Sequence, residues 1–413
     1  MIKIPKFITQ IFTTYLARSL AMALGTITTI AVARTLGPEG RGYIATATTL
    51  AGMGTIIGCV GLPQINAYYG AKMPKLRAKL LGNSLAVSAL VTLILALLFY
   101  LGSSLAPSLI CLPGLLLPLT VLYAGLLLAV TLIQQLMVGM DLVRQYNWTE
   151  LAIRGLQLLG IAALAWWGYR QAVPYFASSA LAFLPVIIYG IYVCAKHIDE
   201  RLSVSWKLWR RTAAYSSRLY IIALCFNIFM GLDIIMTNKY LGTEQTGIFS
   251  IAASMRQILL VFTNVIQTLL LPRLVVLKTF AERTQTAKSY TVLTAASTSV
   301  ISVLTLLTAD ILVLWLFGAE FVPCTSALYI MLPGYILYSV ATVLAVIMQA
   351  EGQPWSSVAP MLLALLCHGV LCVICIPQFG IQGGAISYSG SCCLYLLAQV
   401  TVNTLHGRKK RAA

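Results

Sequence analysis

Two arginines lie deep inside long apolar stretches of the chain, where ionised side chains are rare. Arg18 comes about 11 residues into its stretch, which is roughly 16 Å of helix, and Arg256 lies about ten residues from the outer end of its own stretch. A charge held there costs several kcal/mol and is a functional candidate by default. Arginine keeps its charge and offers a planar fork of donors suited to phosphate. We therefore predict that both line a cavity and bind an anion; a structural ion pair or a carbonyl clamp is the alternative.

Two further arginines are weaker candidates for the same cavity. Arg154 follows Glu150 at the i,i+4 spacing, which favours an ion pair near a helix start. Arg218 lies within a turn or two of a cytoplasmic helix end, where a long basic side chain can snorkel to the headgroups.

An acidic residue in the second half of the chain has a different chemistry. Asp233 lies in "FNIFMGLDIIMTNKY", two positions after Gly231. A bend at that glycine would free backbone carbonyls beside the carboxylate, so Asp233 is predicted to load a coupling cation, H+ or Na+. Gly25 has nearly the corresponding place in the first half, which makes both glycines hinge candidates. The alternative for Asp233 is a bridge to Lys239 or another basic group.

Membrane-spanning helices must position these residues. Of the 413 residues, 59% are hydrophobic and only 9% are charged, which is typical of an all-α polytopic membrane protein. A helix needs roughly 20 apolar residues to cross the hydrocarbon. The sequence predicts about twelve such segments, near 7–34, 42–70, 78–102, 112–138, 148–168, 173–195, 214–241, 247–271, 288–308, 325–350, 357–376 and 382–405.

The charge distribution predicts the topology. Most of the 28 Lys and Arg residues fall in connections on the side of the N-terminus, so the positive-inside rule places both termini in the cytoplasm. The net charge of +17 therefore indicates topology and attraction to membrane lipids, and nucleic acid is not expected as a partner.

No residue pattern predicts a cofactor. The chain has no G-x-x-x-x-G-K-[ST] motif for ATP, and its ten cysteines are scattered without framework spacing, which favours reduced, core-filling thiols. His368, Cys372 and Cys375 share one helical face, but plain packing is favoured over metal binding there because no carboxylate joins them.

Two short matches in the same order indicate an internal duplication. "LGPEG" from Leu36 corresponds to "LGTEQ" from Leu241, and "WGYRQAVPYFAS" from Trp167 corresponds to "FGIQGGAISYSG" from Phe379. The basic connection 196–211 separates the copies. We expect six-helix lobes over 1–200 and 201–413, running in the same direction, with a substrate path between the repeats.

Several longer motifs carry a family resemblance that spans the chain. "ARTLGPEGRGYIA", "LFGAEFVPCTSALYIM", "MQAEGQPWSS" and "FGIQGGAISY" resemble, in order, segments of the bacterial polysaccharide flippases, which include O-antigen-type flippases, within the multidrug/oligosaccharidyl-lipid/polysaccharide exporter superfamily. The resemblance implies two six-helix lobes around a central cationic cavity that opens alternately to each side. Arg18 and Arg256 fall on helices that line it, and Asp233 resembles the cation-site Asp on the seventh helix of the related lipid II flippases.

The resemblance also implies a cargo, partners and a location. The cargo would be an undecaprenyl-pyrophosphate-linked oligosaccharide, and the partners membrane lipids and the polysaccharide polymerase and chain-length machinery, at the bacterial cytoplasmic (inner) membrane. This chain has no acidic residue in segments eleven and twelve, so coupling to H+, to Na+ or to neither stays open. It also lacks the two additional helices of lipid II flippases. A cation-coupled multidrug or toxin exporter and, from another class, a membrane-embedded polysaccharide polymerase or transferase are the rival hypotheses; an enzyme is not expected.

Overall fold

The computed structural model consists of helices and their connections, with no strand in the residues it describes. The backbone is described over 6–105, 112–277, 279–351 and 355–412, and side chains over 13–102, 112–210, 220–277, 279–351 and 355–410. The helices are α1 Lys6–Cys59, α2 Leu62–Lys72, α3 Arg77–Leu105, α4 Leu116–Gly139, α5 Val143–Trp166, α6 Ala172–Leu181, α7 Phe183–Lys196, α8 Trp206–Val276, α9 Phe280–Leu316, α10 Cys324–Ala350, α11 Trp355–Phe379 and α12 Ile381–Ala412.

The helices supply the predicted number of membrane crossings. Nine spans in the described part of the chain are long and apolar enough to cross a membrane. Two of them, of 47 and 57 residues, are more than twice the length that the roughly 30 Å hydrocarbon core requires, so each supplies two crossings. The 24 residues of α5 are also long enough, although charged side chains lower its hydropathy, and they bring the count to twelve.

The two long helices are interrupted at the paired turns that the sequence singled out. Gly37 has φ 67° and ψ −172°, and Gly242 has φ 81° and ψ −179°. Only glycine adopts this region without strain. Pro38 follows Gly37 and, with its fixed φ, suits the first position of a new helix. The two Leu-Gly copies therefore have one backbone conformation, as the predicted duplication requires.

The second pair of matched segments shares a conformation as well. Gly168 (φ 76°) and Gly380 (φ 61°) both have positive φ; Gly168 lies two residues after the end of α5 and Gly380 directly after the end of α11. The amide of Tyr169 donates to the carbonyl of Leu164 at 3.1 Å and that of Gly380 to Ile376 at 2.9 Å, which satisfies carbonyls of the last turn. Both matches of the duplication thus mark helix ends.

The chain divides into two compact units, Met1–Tyr220 and Ile221–Ala413. The boundary falls inside α8, 20 residues after the boundary that the sequence suggested. The connection before α8 belongs to the first unit because Asn83 of α3 pairs with the backbone of Ser205: its Oδ1 accepts from the amide nitrogen at 2.7 Å and its Nδ2 donates to the carbonyl at 3.1 Å.

The starts of α8 and α9 differ most from the predicted ones. α8 begins at Trp206 rather than near 214, because an amphipathic turn rich in Trp and basic residues extends it. α9 begins at Phe280 rather than near 288, because Thr279 and Glu282 form a capping box that satisfies two amides of the first turn. Apolarity alone therefore underestimates helices whose ends are polar.

Candidate functional site

The second unit holds a buried ion pair between two of the predicted site residues. Nη1 of Arg256 donates to Oδ2 of Asp233 at 2.5 Å, and Nη2 donates to the carbonyl of Met230 at 3.0 Å. The other carboxylate oxygen, Oδ1, accepts from the amide of Ile234 at 2.9 Å. Both side chains are at most 1% exposed. The pair joins the two arms of α8 on either side of the interruption at Gly242.

Aromatic side chains surround this pair. The guanidinium carbon of Arg256 lies 4.4 Å from the ring centroid of Tyr388 on α12, a favourable cation–π distance. The rings of Phe229 and His368 lie with their centroids 4.7 Å apart, and Cys372 lies within 3.8 Å of the His368 ring. The ion pair therefore lies beside polarisable side chains and is shielded from solvent, where the attraction between its two charges is strong.

This geometry joins residues to which the sequence assigned separate tasks. Arg256 was predicted as a cavity cation and Asp233 as a coupling carboxylate, with an ion pair as the alternative for each; the structure has that ion pair. The physical reason is that two buried charges of opposite sign cost much less together than apart. The other suggested partner, Lys239, instead lies 5.1 Å from the ring centroid of Tyr240.

The first unit presents its deep arginine differently. Arg18 is an exposed residue whose Nη2 donates to the hydroxyl of Tyr146 on α5 at 3.3 Å. Glu150, one turn further along α5, adds electrostatic attraction to the guanidinium. Arg18 therefore keeps donors directed away from the unit's core.

Arg154 lies further along the same helix and is also exposed. Its Nη1 donates to Oε1 of Gln157 at 3.3 Å, and Nε2 of Gln157 donates to the carbonyl of Ser179 on α6 at 3.3 Å. The expected Glu150–Arg154 ion pair does not form among the described residues, because Glu150 faces Arg18. The side chain of Arg218 lies outside the described residues.

The two hinge candidates lie in regular helix. The positions that leave helical φ/ψ inside these helices are Gly37 in α1 and Gly242 in α8, so the backbone at Gly231 and at Gly25 is not interrupted. The physical reason is local: Gly25 has open space around it and nothing forces a bend, and the carbonyl of Met230 binds Arg256 without leaving the helix. A hinge role in another state stays a prediction.

The polar stripe on α5 is the part of the site that sequence reasoning missed. Tyr146 and Gln157 were not singled out because tyrosine and glutamine are unremarkable inside apolar helices. Their spacing was nevertheless a signal: Tyr146, Glu150, Arg154 and Gln157 recur at i, i+4, i+8 and i+11, which is one face of a helix.

A second unpredicted cluster ties four helix ends together in the second unit. Glu351, at the end of α10, pairs with Arg283 of α9 and Lys410 of α12, and Arg283 donates to the carbonyls of Leu274 and Leu277 at the end of α8. Partial burial raises the pKa of Glu351, but the hydrogen bonds from Lys410 and Arg283 outweigh it and hold that pKa below the ordinary value.

Comparison with known proteins supports the family suggested by the motifs. Residues 7–278 match the model of the family described as "Polysaccharide biosynthesis protein". No curated protein matches the chain significantly.

Solved structures share the fold along nearly the whole chain. An inward-facing multidrug resistance MATE family transporter of the MOP superfamily is 16% identical with a TM-score of 0.69, covering 96% of this chain and 98% of its own. The lipid II flippase MurJ, in an inward closed conformation, is 12% identical with a TM-score of 0.70, and the match covers 94% of this chain and 86% of the MurJ chain.

A third similar structure is a MOP superfamily transporter from Pyrococcus furiosus, described as having a binding pocket of reverse polarity. It is 16% identical with a TM-score of 0.61, and the match covers 97% of this chain and 94% of that transporter. At these identities the likeness establishes the fold, whereas the family match covers well over half of the chain. This multi-pass membrane protein therefore belongs to the polysaccharide biosynthesis protein family and has the fold of the MOP superfamily transporters.

Proposed function

We propose that the protein is a flippase, and not an enzyme, that moves an undecaprenyl-pyrophosphate-linked oligosaccharide across the bacterial inner membrane by alternating access. The observation that carries this proposal is the pair of exposed arginines, Arg18 and Arg154, on membrane-spanning helices of the first unit. Membership of a polysaccharide biosynthesis family and a fold shared with a lipid II flippase support the same substrate class.

The chemistry of a diphosphate fits these two side chains. A diphosphate keeps its negative charge and leaves the aqueous headgroup region only where fixed cations replace water. Arg18 and Arg154 donate hydrogen bonds to neutral partners, a tyrosine hydroxyl and a glutamine carbonyl, so these bonds neutralise neither charge. Glu150 attracts the Arg18 guanidinium without forming an ion pair with it among the described residues. Orientation without neutralisation is what an anion-binding arginine requires.

The buried pair in the second unit suits the coupling step. A proton on Asp233 would compete with Arg256 for the carboxylate, so protonation would release a guanidinium that is otherwise compensated. Sodium is disfavoured because Arg256 already places a positive charge against the carboxylate, and because segments eleven and twelve have no acidic residue to add a ligand. The proposal is therefore that H+ shifts the equilibrium between the two facing states by binding one state better than the other.

A cation-coupled drug exporter of the same fold is the rival. Such a protein would offer a carboxylate to a cationic cargo, but Asp233 is neutralised by Arg256 and walled in by aromatic rings. The exposed charges of Arg18 and Arg154 have the sign that suits an anion.

Cells that lack the chain provide the test. We expect undecaprenyl-pyrophosphate-linked glycan to accumulate and the surface polysaccharide to disappear, and the wild-type chain to reverse both effects. Normal surface polysaccharide without the chain, or increased drug sensitivity with no accumulated glycolipid, would contradict the proposal.

A further inference from the structure

A groove opens in the first unit between the start of α1 and the start of α5. It encloses about 680 Å³, a size typical of small-molecule sites. One wall is a largely apolar stripe of α1 at helical spacing, and the other is the turn between α4 and α5 with the first turns of α5. The lining residues are Thr13, Leu16, Ala17, Leu20, Asp141, Val143, Arg144, Gln145, Asn147, Trp148 and Leu151.

One buried polar atom of this groove has no partner among the described residues. Asn147 is 7% exposed, its Nδ2 donates to Oγ1 of Thr14 at 3.3 Å, and its Oδ1 accepts no hydrogen bond. A buried acceptor without a hydrogen bond is unfavourable, because it has lost its contacts with water. A ligand that donates a hydrogen bond into the groove would remove this cost.

The rest of the lining suits a ligand that is polar at its edges and apolar on its faces. Asp141 adopts a left-handed conformation (φ 61°), and Asp141, Arg144 and Gln145 line the groove with polar groups. Trp148 is 59% exposed, so its indole is available for stacking. Acid, amide and guanidinium groups beside a tryptophan match a saccharide, whose hydroxyls both donate and accept while its C–H faces pack on aromatic rings.

We propose that this groove binds the pyrophosphate-proximal sugars of the lipid-linked glycan; this rests on the proposed function. Consecutive residues of α5 connect the groove to the predicted phosphate site, because Tyr146 binds Arg18 while Asn147 binds Thr14, one turn earlier on α1. The unpaired acceptor of Asn147 favours a hydroxyl over a phosphate oxygen, since two acceptors repel. Diphosphate at Arg18 and sugar at Asn147 follow the order of groups in the substrate.

Binding measurements on the purified full-length protein test this assignment. The probes are the lipid-linked glycan extracted from cells that lack the chain and undecaprenyl pyrophosphate without sugar. The wild type should bind the lipid-linked glycan about tenfold more tightly than it binds undecaprenyl pyrophosphate. Asn147→Leu and Trp148→Ala should each weaken that binding about fivefold, as expected for one lost hydrogen bond or stacking contact, and leave the affinity for undecaprenyl pyrophosphate unchanged.

The design separates the failure of each claim. Trp166→Ala is the matched control, since Trp166 is 88% exposed at the other end of the same helix, and it should change neither affinity. Equal affinity of the wild type for both lipids, or equal weakening of both by the groove variants, would overturn the sugar site alone. If no glycolipid accumulates in cells that lack the chain, the proposed function fails and the sugar site falls with it.

Discussion

At the scale of residues, the two deep arginines differ in burial and in the charge of their partners. Arg256 is fully buried and compensated by Asp233, whereas Arg18 is exposed and held by a neutral hydroxyl. The same residue type at similar predicted depth therefore has different availability, and only Arg18 can meet an anion without first breaking an ion pair.

We predict that Arg18→Ala abolishes glycan export while the protein still inserts. A charge-assisted contact is worth about 1.5–3 kcal/mol, and Arg18→Lys should restore export only partly because an ammonium lacks the bidentate fork. Surface glycan and accumulated lipid-linked glycan are measured at matched expression. Arg170→Ala, an exposed arginine in the turn between α5 and α6, is the control, and normal export by the Arg18→Ala variant would refute the assignment.

Asp233→Asn should destabilise the protein by about 3–5 kcal/mol, because it leaves Arg256 charged and uncompensated in an apolar interior. The double variant Asp233→Leu with Arg256→Met removes both charges and should recover most of the thermal stability. Its transport then decides the role of the pair. Recovered stability without a response to a proton gradient supports coupling, whereas a wild-type response in the double variant would show the pair to be structural.

At the scale of elements, the matched turns at Gly37 and Gly242 share one backbone conformation. We predict that Gly37→Ala and Gly242→Ala each destabilise the protein by about 1–3 kcal/mol, because each glycine occupies a region that side chains strain. Gly25→Ala is the comparison: its φ is helical and its surroundings are open, so stability should hold or rise. Both losses of stability are measured by thermal unfolding. If the two variants lose clearly different amounts, the two turns do not have equivalent structural roles.

The Glu351 cluster predicts a pH dependence with a definite sign. Because its partners hold the pKa of Glu351 below the ordinary value of about 4.3, the stabilisation is fully present above that value and is lost as pH falls through the lower, folded-state pKa. Glu351→Gln should lower the unfolding temperature at pH 7 but match the wild type once Glu351 is protonated. The exposed Glu320→Gln is the control, and a deficit that persists at low pH would contradict this account.

The sequence predicted the elements better than their contacts. Helix number and the paired turns follow from apolar length and from the Leu-Gly copies, which are local signals. The Arg256–Asp233 pair and the Arg18–Tyr146 contact were not predictable, because each joins helices whose relative rotation depends on packing. Asp233 and Arg256 are 23 positions apart in the sequence, on opposite sides of the interruption in α8. No spacing rule predicts that two residues so placed come into contact.

At the scale of the whole molecule, the central claim is that the protein moves a lipid-linked glycan across the membrane. Proteoliposomes that contain the purified protein and radiolabelled lipid-linked glycan test it most directly, with a membrane-impermeant glycan-modifying enzyme outside to score the exposed leaflet. With the wild-type protein, more glycan should become exposed than the fraction initially present in the outer leaflet, and an imposed proton gradient should change the rate of exposure. Vesicles with the Arg18→Ala variant should behave like protein-free vesicles. Exposure no faster with the wild-type protein than in protein-free vesicles would contradict the account.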